Sequence, residues 1–514
     1  MRAFVPVALV ALSTAMLGCG SADTLDTPEQ ATPPPSPDGG VPRCFNVDPS
    51  QAGPNEACGV FVSSTLGSDD NPGTLERPVR TISRAVALAE AGAQRVYACA
   101  EAFHEPVEIP AGVELWGGLD CTNGWTYIGK SKKTTIAPEP ELIPLRFLPG
   151  EGRAGVIDVR AEAADAVQPS GSSIAALVLA GAAVEIIRSE LAAGNGAAGA
   201  DGAQGGGPGA PYQLPKGADG LPGGDACDAN TVPGGAAVVT ACEGVDSISG
   251  KGGDGHTTYG ADGQDGQPVP ENPDGVHGEG GWGQHGSYPQ CDSGHVGHSG
   301  RDGEHGLGAL GPGRITLAGW QGEKGQDGGD GLPGQGGGGG GGVRGPLYDD
   351  CGANQPQGGA SGGSGGAGGC GGKGGKGGGK GGASIGLLSL SDKVTIRASN
   401  IMTGNGGDGG RGGLWQGGGP GGVGGLGGIG WWSGPGCRGG AGGKGGNGGH
   451  GGGGLAGPSV GIAHVTDQPA ALEEVTISVG SPGTGGPGGS QTVTLPGTAG
   501  ADGRQGDALS FPML

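Results

Sequence analysis

The sequence predicts an all-β chain, a short parallel β-helix with an N-terminal capping helix, interrupted by glycine-rich excursions. Three observations carry that expectation. SIAALVLAGAAVEIIRSELAAGNG (173–196) aligns with SIGLLSLSDKVTIRASNIMTGNG (384–406) through a single one-residue gap, and SVGIAHVTDQPAALEEVTISVGSPGTGG (459–486) is a looser third copy with a longer turn. Each copy reads strand, turn, strand over about 22 residues, the length of one β-helix coil. Each then passes into a glycine run, as if the chain left a solenoid at one corner and returned a coil later. Alternation places Val184 and Ile186, Val394 and Ile396, and Val475 and Ile477 inward, with Glu185, Thr395 and Thr476 stacked outside.

Composition sets the limits of such a fold. Of 514 residues, 132 are Gly and 39 are Pro, together about a third, while aromatics are 4%. A conventional core of this length is excluded, so any packed interior comes from the aliphatic islands. The net charge of −22 sets nucleic acid aside as a partner and keeps a glycine-rich exterior soluble.

The N-terminus, MRAFVPVALVALSTAMLGCG, has one early basic residue, an apolar run from Ala3 to Leu17, then Gly18 and Cys19. This reads as an export signal over residues 1–18. Its end resembles the lipobox of bacterial lipoproteins, with Met16 where that family usually has Leu. The resemblance implies that Cys19 becomes the lipid-modified first residue, that the anchor is stable, and, with Gly20 following, that the location is the outer membrane of a Gram-negative cell, at its surface. Residues 19–43 are a Pro-rich tether. The body follows as 44–196 (cap and coils), 197–383 (glycine-rich), 384–406 (coil), 407–458 (glycine-rich), 459–479 (coil) and 480–514 (glycine-rich with short strands).

In the cap, a strand is expected at 60–63, an Asp/Asn/Pro/Gly loop, a helix from Thr81 to Ala91 stopped at Gly92, and strands in RVYAC, PVEIP and GVELWGG. SSTLGSDDNPGT, RPVRTISRAVALA and the strands to LWGG, with Phe103 and Glu105, resemble the N-terminal end of right-handed parallel β-helices of the pectate-lyase-like superfamily. That resemblance implies a capped, right-handed solenoid and no particular chemistry. RITLAGW (314–320) is a further short coil or strand.

The glycine segments have a period of three, as in GGSGGAGGCGGKGGKGG (362–378), GGVGGLGGIG (421–430) and GGAGGKGGNGGHGG (439–452). Such a period fits polyproline-II helices packed through bare glycine faces. Disorder is the competing reading on composition. Collagen is hinted at by GEKGQDGGDGLPGQG (322–336), but the run is short and its neighbours break phase.

Ten cysteines remain besides Cys19: Cys44, Cys58, Cys99, Cys121, Cys227, Cys242, Cys291, Cys351, Cys370 and Cys437. In an exported chain an even number predicts disulfides. Sequential pairing is expected, with Cys99–Cys121 the most physical pair. Chemistry is sparse. GWTYIGKS (124–131) matches a phosphate-loop pattern but carries bulky residues where backbone N–H groups must converge. His277, His285, His295, His298 and His305 crowd together with Asp292, without the spacing of a zinc site. Asp69, Asp70 and Asn71 suit Asx turns. Trp415, Trp431 and Trp432 offer planes for stacking on sugars, or lids over bare backbone. No catalytic residue, metal or cofactor is called for. The function expected is structural or adhesive, with the membrane through a lipid anchor and polysaccharide, matrix or envelope proteins as partners. The alternative is a polysaccharide lyase or glycoside hydrolase, which would need paired carboxylates.

Overall fold

The chain divides after Arg43 into two units, and every described residue belongs to the second, Cys44–Leu514. The computed structural model describes residues 48–271, 273–286, 289–347, 351–431, 433–490 and 498–513. Strands dominate its regular structure, and they form three parallel sheets that share one apolar core.

The first sheet takes Val60–Val62, Arg95–Cys99, Glu114–Asp120, Arg153–Ile157, Ala183–Ile187, Val394–Arg397 and Ala471–Glu473 in spatial order. The second takes Ala102–Phe103, Thr134–Ile136, Val159–Ala163, Glu190–Ala193, Asn400–Thr403 and Thr476–Ser478. The third takes Val107–Ile109, Leu145–Phe147, Ser173–Val178, Ser384–Ser389, Ser459–His464 and Gln505–Ser510. Along the chain each turn contributes one strand to each sheet. Inward residues therefore stack on their own kind: Val96, Leu115, Val156, Ile186 and Ile396 in the first sheet, and Phe103, Ile136, Ala161, Leu191, Ile401 and Ile477 in the second. Burying such ladders is what holds short strands in register, since a one-residue slip would turn the apolar set outward.

The alignment of 173–178, 384–389 and 459–464 is correct residue for residue, and Gln505–Ser510 adds a fourth member. Two expectations need correction. A turn holds three strands rather than two, because Glu190–Ala193 and Asn400–Thr403 are strands themselves. The third copy is also out of register: Leu472, not Ile477, stacks on Ile396, while Thr476 and Ile477 lie beside Asn400 and Ile401 in the second sheet. The longer turn at 465–470 moved the strand forward.

The cap begins with Thr81, whose hydroxyl accepts from the Arg84 N–H at 3.2 Å and starts an α-helix over Ile82–Leu88. Glu105 adds a carboxylate there, accepting from the Ile82 N–H at 2.7 Å. The helix does not stop at Gly92, which lies within a final π turn over Ala89–Ala93; Gln94 ends it at φ 59°. RITLAGW is strand, as expected, but belongs to none of the three parallel sheets. Arg314–Thr316 and Gly319–Gln321 pair antiparallel, and Ile315 and Trp320 cover Ile174, Leu177, Ile385 and Leu388 on the outer face of the third sheet.

All three glycine excursions leave after a second-sheet strand and return into a third-sheet strand. They are hydrogen-bonded to one another throughout. The seven glycines 336–342 show the rule. Gly337 and Gly340 donate to Gly366 and Gly363, Gly338 and Gly341 to His295 and Asp292, and Gly336, Gly339 and Gly342 to Gln267, Gln264 and Ala261. Their carbonyls accept in the same rotation, from Gly250 and Gly253, from Gly440 and Cys437, and from Gly281 and Gln284. The N–H direction repeats every third residue, and six segments enclose the seventh. A Cβ on any of the seven would strike a backbone carbonyl oxygen. That is why this segment carries no side chain. One step outward, a single small side chain fits per triplet: Ser361, Ser364 and Ala367 are fully buried.

Candidate binding surface

Among the described residues of the bundle, exposed large side chains lie where a glycine segment runs at the edge. Segment 407–428 runs antiparallel to 361–382, with Gly407, Gly410, Gly413 and Gln416 donating to Gly382, Gly379, Lys376 and Lys373. Its outer triplet positions are Val423, Leu426 and Ile429, each half or more exposed, followed by Trp431 at 74%. Trp415 sits elsewhere on the same segment. Its ring lies 5.3 Å from Tyr212 and 6.1 Å from His450, which in turn stacks on His305 at 5.2 Å. Sixteen positions along the segment separate Trp415, packed with Tyr212 and His450, from Trp431, so they form two places rather than one. Trp432 lies outside the described residues.

The cluster around Trp415 has a polar side. The His450 N–H donates to Nδ1 of His305 at 3.0 Å, and His450 Nδ1 is shielded without a hydrogen-bond partner. Burial, with His305 beside it, holds the His450 imidazole below its ordinary pKa. The arrangement offers an aromatic plane, a neutral imidazole and an exposed tyrosine, a set suited to a sugar ring with its hydroxyls.

Carboxylates on the sheets are already engaged. On the first sheet Glu185 takes Arg153 at 2.7 Å and Arg397 at 2.8 Å, and Arg397 takes Glu473 at 2.9 Å. On the second, Arg160 pairs with Glu162 and Glu190, both at 2.8 Å. Glu101 is buried enough to raise its pKa, but donors from Thr65, Ser64 and Ser63 outweigh that and hold it below the usual carboxylate range.

The remaining sequence candidates are structural. Trp125 of GWTYIGKS packs edge-on against Phe61 at 4.8 Å, and the stretch supports no helix. Asp69 accepts from the Arg80 and Thr81 N–H groups at 2.9 Å. Of the histidines, His277 and His298 meet at 5.3 Å, and no three metal-binding side chains converge among the described residues. Cys99–Cys121 forms as expected. Sequential pairing fails beyond it: the bonds are Cys227–Cys351, Cys242–Cys370 and Cys291–Cys437, each joining glycine segments that neighbour in space. Cys58 is also disulfide-bonded. Cys19 and Cys44 lie outside the described residues.

A role the sequence reading missed belongs to the aspartates. Asp201, Asp219, Asp225, Asp302 and Asp408 each accept the outward N–H of a triplet on the adjacent segment, that of Arg411, Val423, Ile429, Asn447 and Thr484, at 2.6 to 2.8 Å. The available signal was the recurrence of Asp at the non-glycine position. Comparison with protein-family models, curated proteins and solved structures returned no match.

Proposed function

We propose that the chain is a surface-anchored structural or adhesive lipoprotein whose sheets are the faces of a right-handed parallel β-helix. On this reading the helix is a rigid mount, and the glycine segments are polyproline-II helices bundled at one of its corners. Export, Cys19 acylation and outer-membrane location belong to the same proposal; the disulfides suit an oxidising compartment.

One observation carries the reading. The bundle builds its innermost segment from backbone alone, surrounds it with few and mostly small side chains, and carries its exposed large side chains along its edges, as a display scaffold would. The ligand class that the Trp415–Tyr212–His450 cluster fits is polysaccharide. The test mixes the ectodomain from Gly20 with soluble and insoluble polysaccharides, recording protein depletion and release of new chain ends together. Depletion without release is expected, weakened at least tenfold by Trp415→Ala and less by Trp431→Ala. Release of ends by clean protein would replace this reading with the enzymatic one. Depletion indifferent to both tryptophans would move the contact elsewhere.

A further inference from the structure

In a chain of net charge −22, one stretch of the body is strongly basic: Lys130, Lys132 and Lys133, within GKSKK. Lys130 and Lys132 are exposed, Lys133 is half-buried, and none of the three pairs with a described carboxylate. They border a cleft of 510 Å³ on the second sheet, with Arg160, Glu101 and Glu190 on its walls. The two acids offset the lysines only in part: Glu190 is paired with Arg160, and Glu101 sets one negative charge against three positive ones. Glu101 is held by Ser64 at 2.8 Å and Thr65 at 2.6 Å, and Glu190 by Arg160 at 2.8 Å.

The place of this loop in the chain gives it meaning. Asp48, the first described residue, pairs with Arg188 at 3.4 Å, and Arg188 pairs with the buried Asp158 at 2.7 Å. Asp158 lies against Gly129, so closely that a Cβ there would meet its carboxyl carbon at 2.8 Å. The lysine loop therefore starts one ion-pair relay away from Asp48, the first described residue of the body.

We propose that this loop is a second membrane contact, binding the anionic phospholipid headgroups of the leaflet that holds the lipid anchor. It rests on the anchor reading for its local concentration, not for its chemistry. Twenty-eight residues lie between Cys19 and Asp48. On the anchor reading that covalent link holds the loop near the surface, at an effective concentration of about millimolar. Each lysine near an anionic surface strengthens association about fivefold, so three suffice at that concentration, and salt weakens them. The acidic bundle faces no such demand and is repelled.

The experiment reconstitutes the purified full-length chain with vesicles of phosphatidylcholine alone, or with phosphatidylglycerol added. Flotation reports anchoring. Amine acylation read by mass spectrometry reports docking, with Lys324 and Lys376 as distant references. Flotation with both vesicles, and labelling of Lys130, Lys132 and Lys133 slowed at least fivefold only on phosphatidylglycerol and restored by salt, is the expected result. The triple variant Lys130→Glu, Lys132→Glu, Lys133→Glu should float equally and lose the difference. Flotation with equal labelling overturns the docking and leaves the anchor standing. Flotation on phosphatidylglycerol alone upholds the docking and removes the anchor. Flotation with neither overturns both, and protection by a soluble polyuronate but not by vesicles assigns the loop to polysaccharide instead.

Discussion

Gly365 can be nothing else because of what surrounds it. Its N–H donates to the Gly250 carbonyl at 2.9 Å, and a Cβ would land on the carbonyl oxygen of Gly337. No flexible side chain is there to yield. Gly365→Ala is therefore expected to cost roughly 1–3 kcal/mol by overpacking, read as a lowered urea midpoint with an unchanged slope. Ser364→Ala, one residue away, overpacks nothing and loses the bond from the Leu221 N–H at 2.8 Å with the long one to the Leu221 carbonyl at 3.5 Å, so its effect should be smaller. The difference between such positions was partly legible: a GGX repeat says that two faces are bare. It does not say which triplets are enclosed, because the enclosing segments, such as those of Gly250, Gly337 and Gly440, come from separate stretches tens of residues or more away in sequence. The run of seven glycines was the signal for full enclosure.

At the scale of the element, sheets and glycine segments are stabilised by different chemistry. Each sheet strand is fixed by an apolar ladder, and that pattern made Ser173–Val178 and Ser384–Ser389 readable to the residue. Ala471–Glu473 was misplaced because its short, exposed strand carries a single inward residue, Leu472, too little pattern to set a register. A glycine segment has no such ladder, and its edges are completed by carboxylates. Hydrogen bonds from Lys216 and the Val423 N–H hold Asp219 below the usual carboxylate range, and the Gly377 N–H with Lys376 does the same for Asp327. A depressed folded pKa favours the native state above the unfolded value, about 3.9, and that contribution is lost as pH falls through the folded pKa. Thermal unfolding should thus show a bundle transition that falls as pH drops below about 4. A single transition with no extra acid sensitivity would contradict the carboxylate role.

The whole molecule is organised by one corner. In the cap the link from the second to the third sheet is short, as at residues 164–172, whereas later turns place the whole bundle there. Insertion at this corner leaves the strands on either side adjacent, so Ser173 still meets Ser384 across 211 positions. The bundle is tied by three disulfides closing separations of 124, 128 and 146 residues. In the chain-entropy account each is worth roughly 5 kcal/mol. Reduction should release the glycine segments to amide exchange while Ile186, Ile396 and their neighbours stay protected, a split visible by exchange mass spectrometry. Their pairing was unreadable in advance because it follows neighbours across the bundle, not order along the chain.

The rotation of N–H groups in residues 336–342 also limits how this chain can change in length. Loss of one glycine would turn every later amide toward the wrong neighbour, a slip with no local remedy. Loss of three would shorten the segment by one turn and keep each assignment. At the level of the gene, such a segment can grow or shrink only by whole groups of three codons, and the segments bonded to it must follow in step.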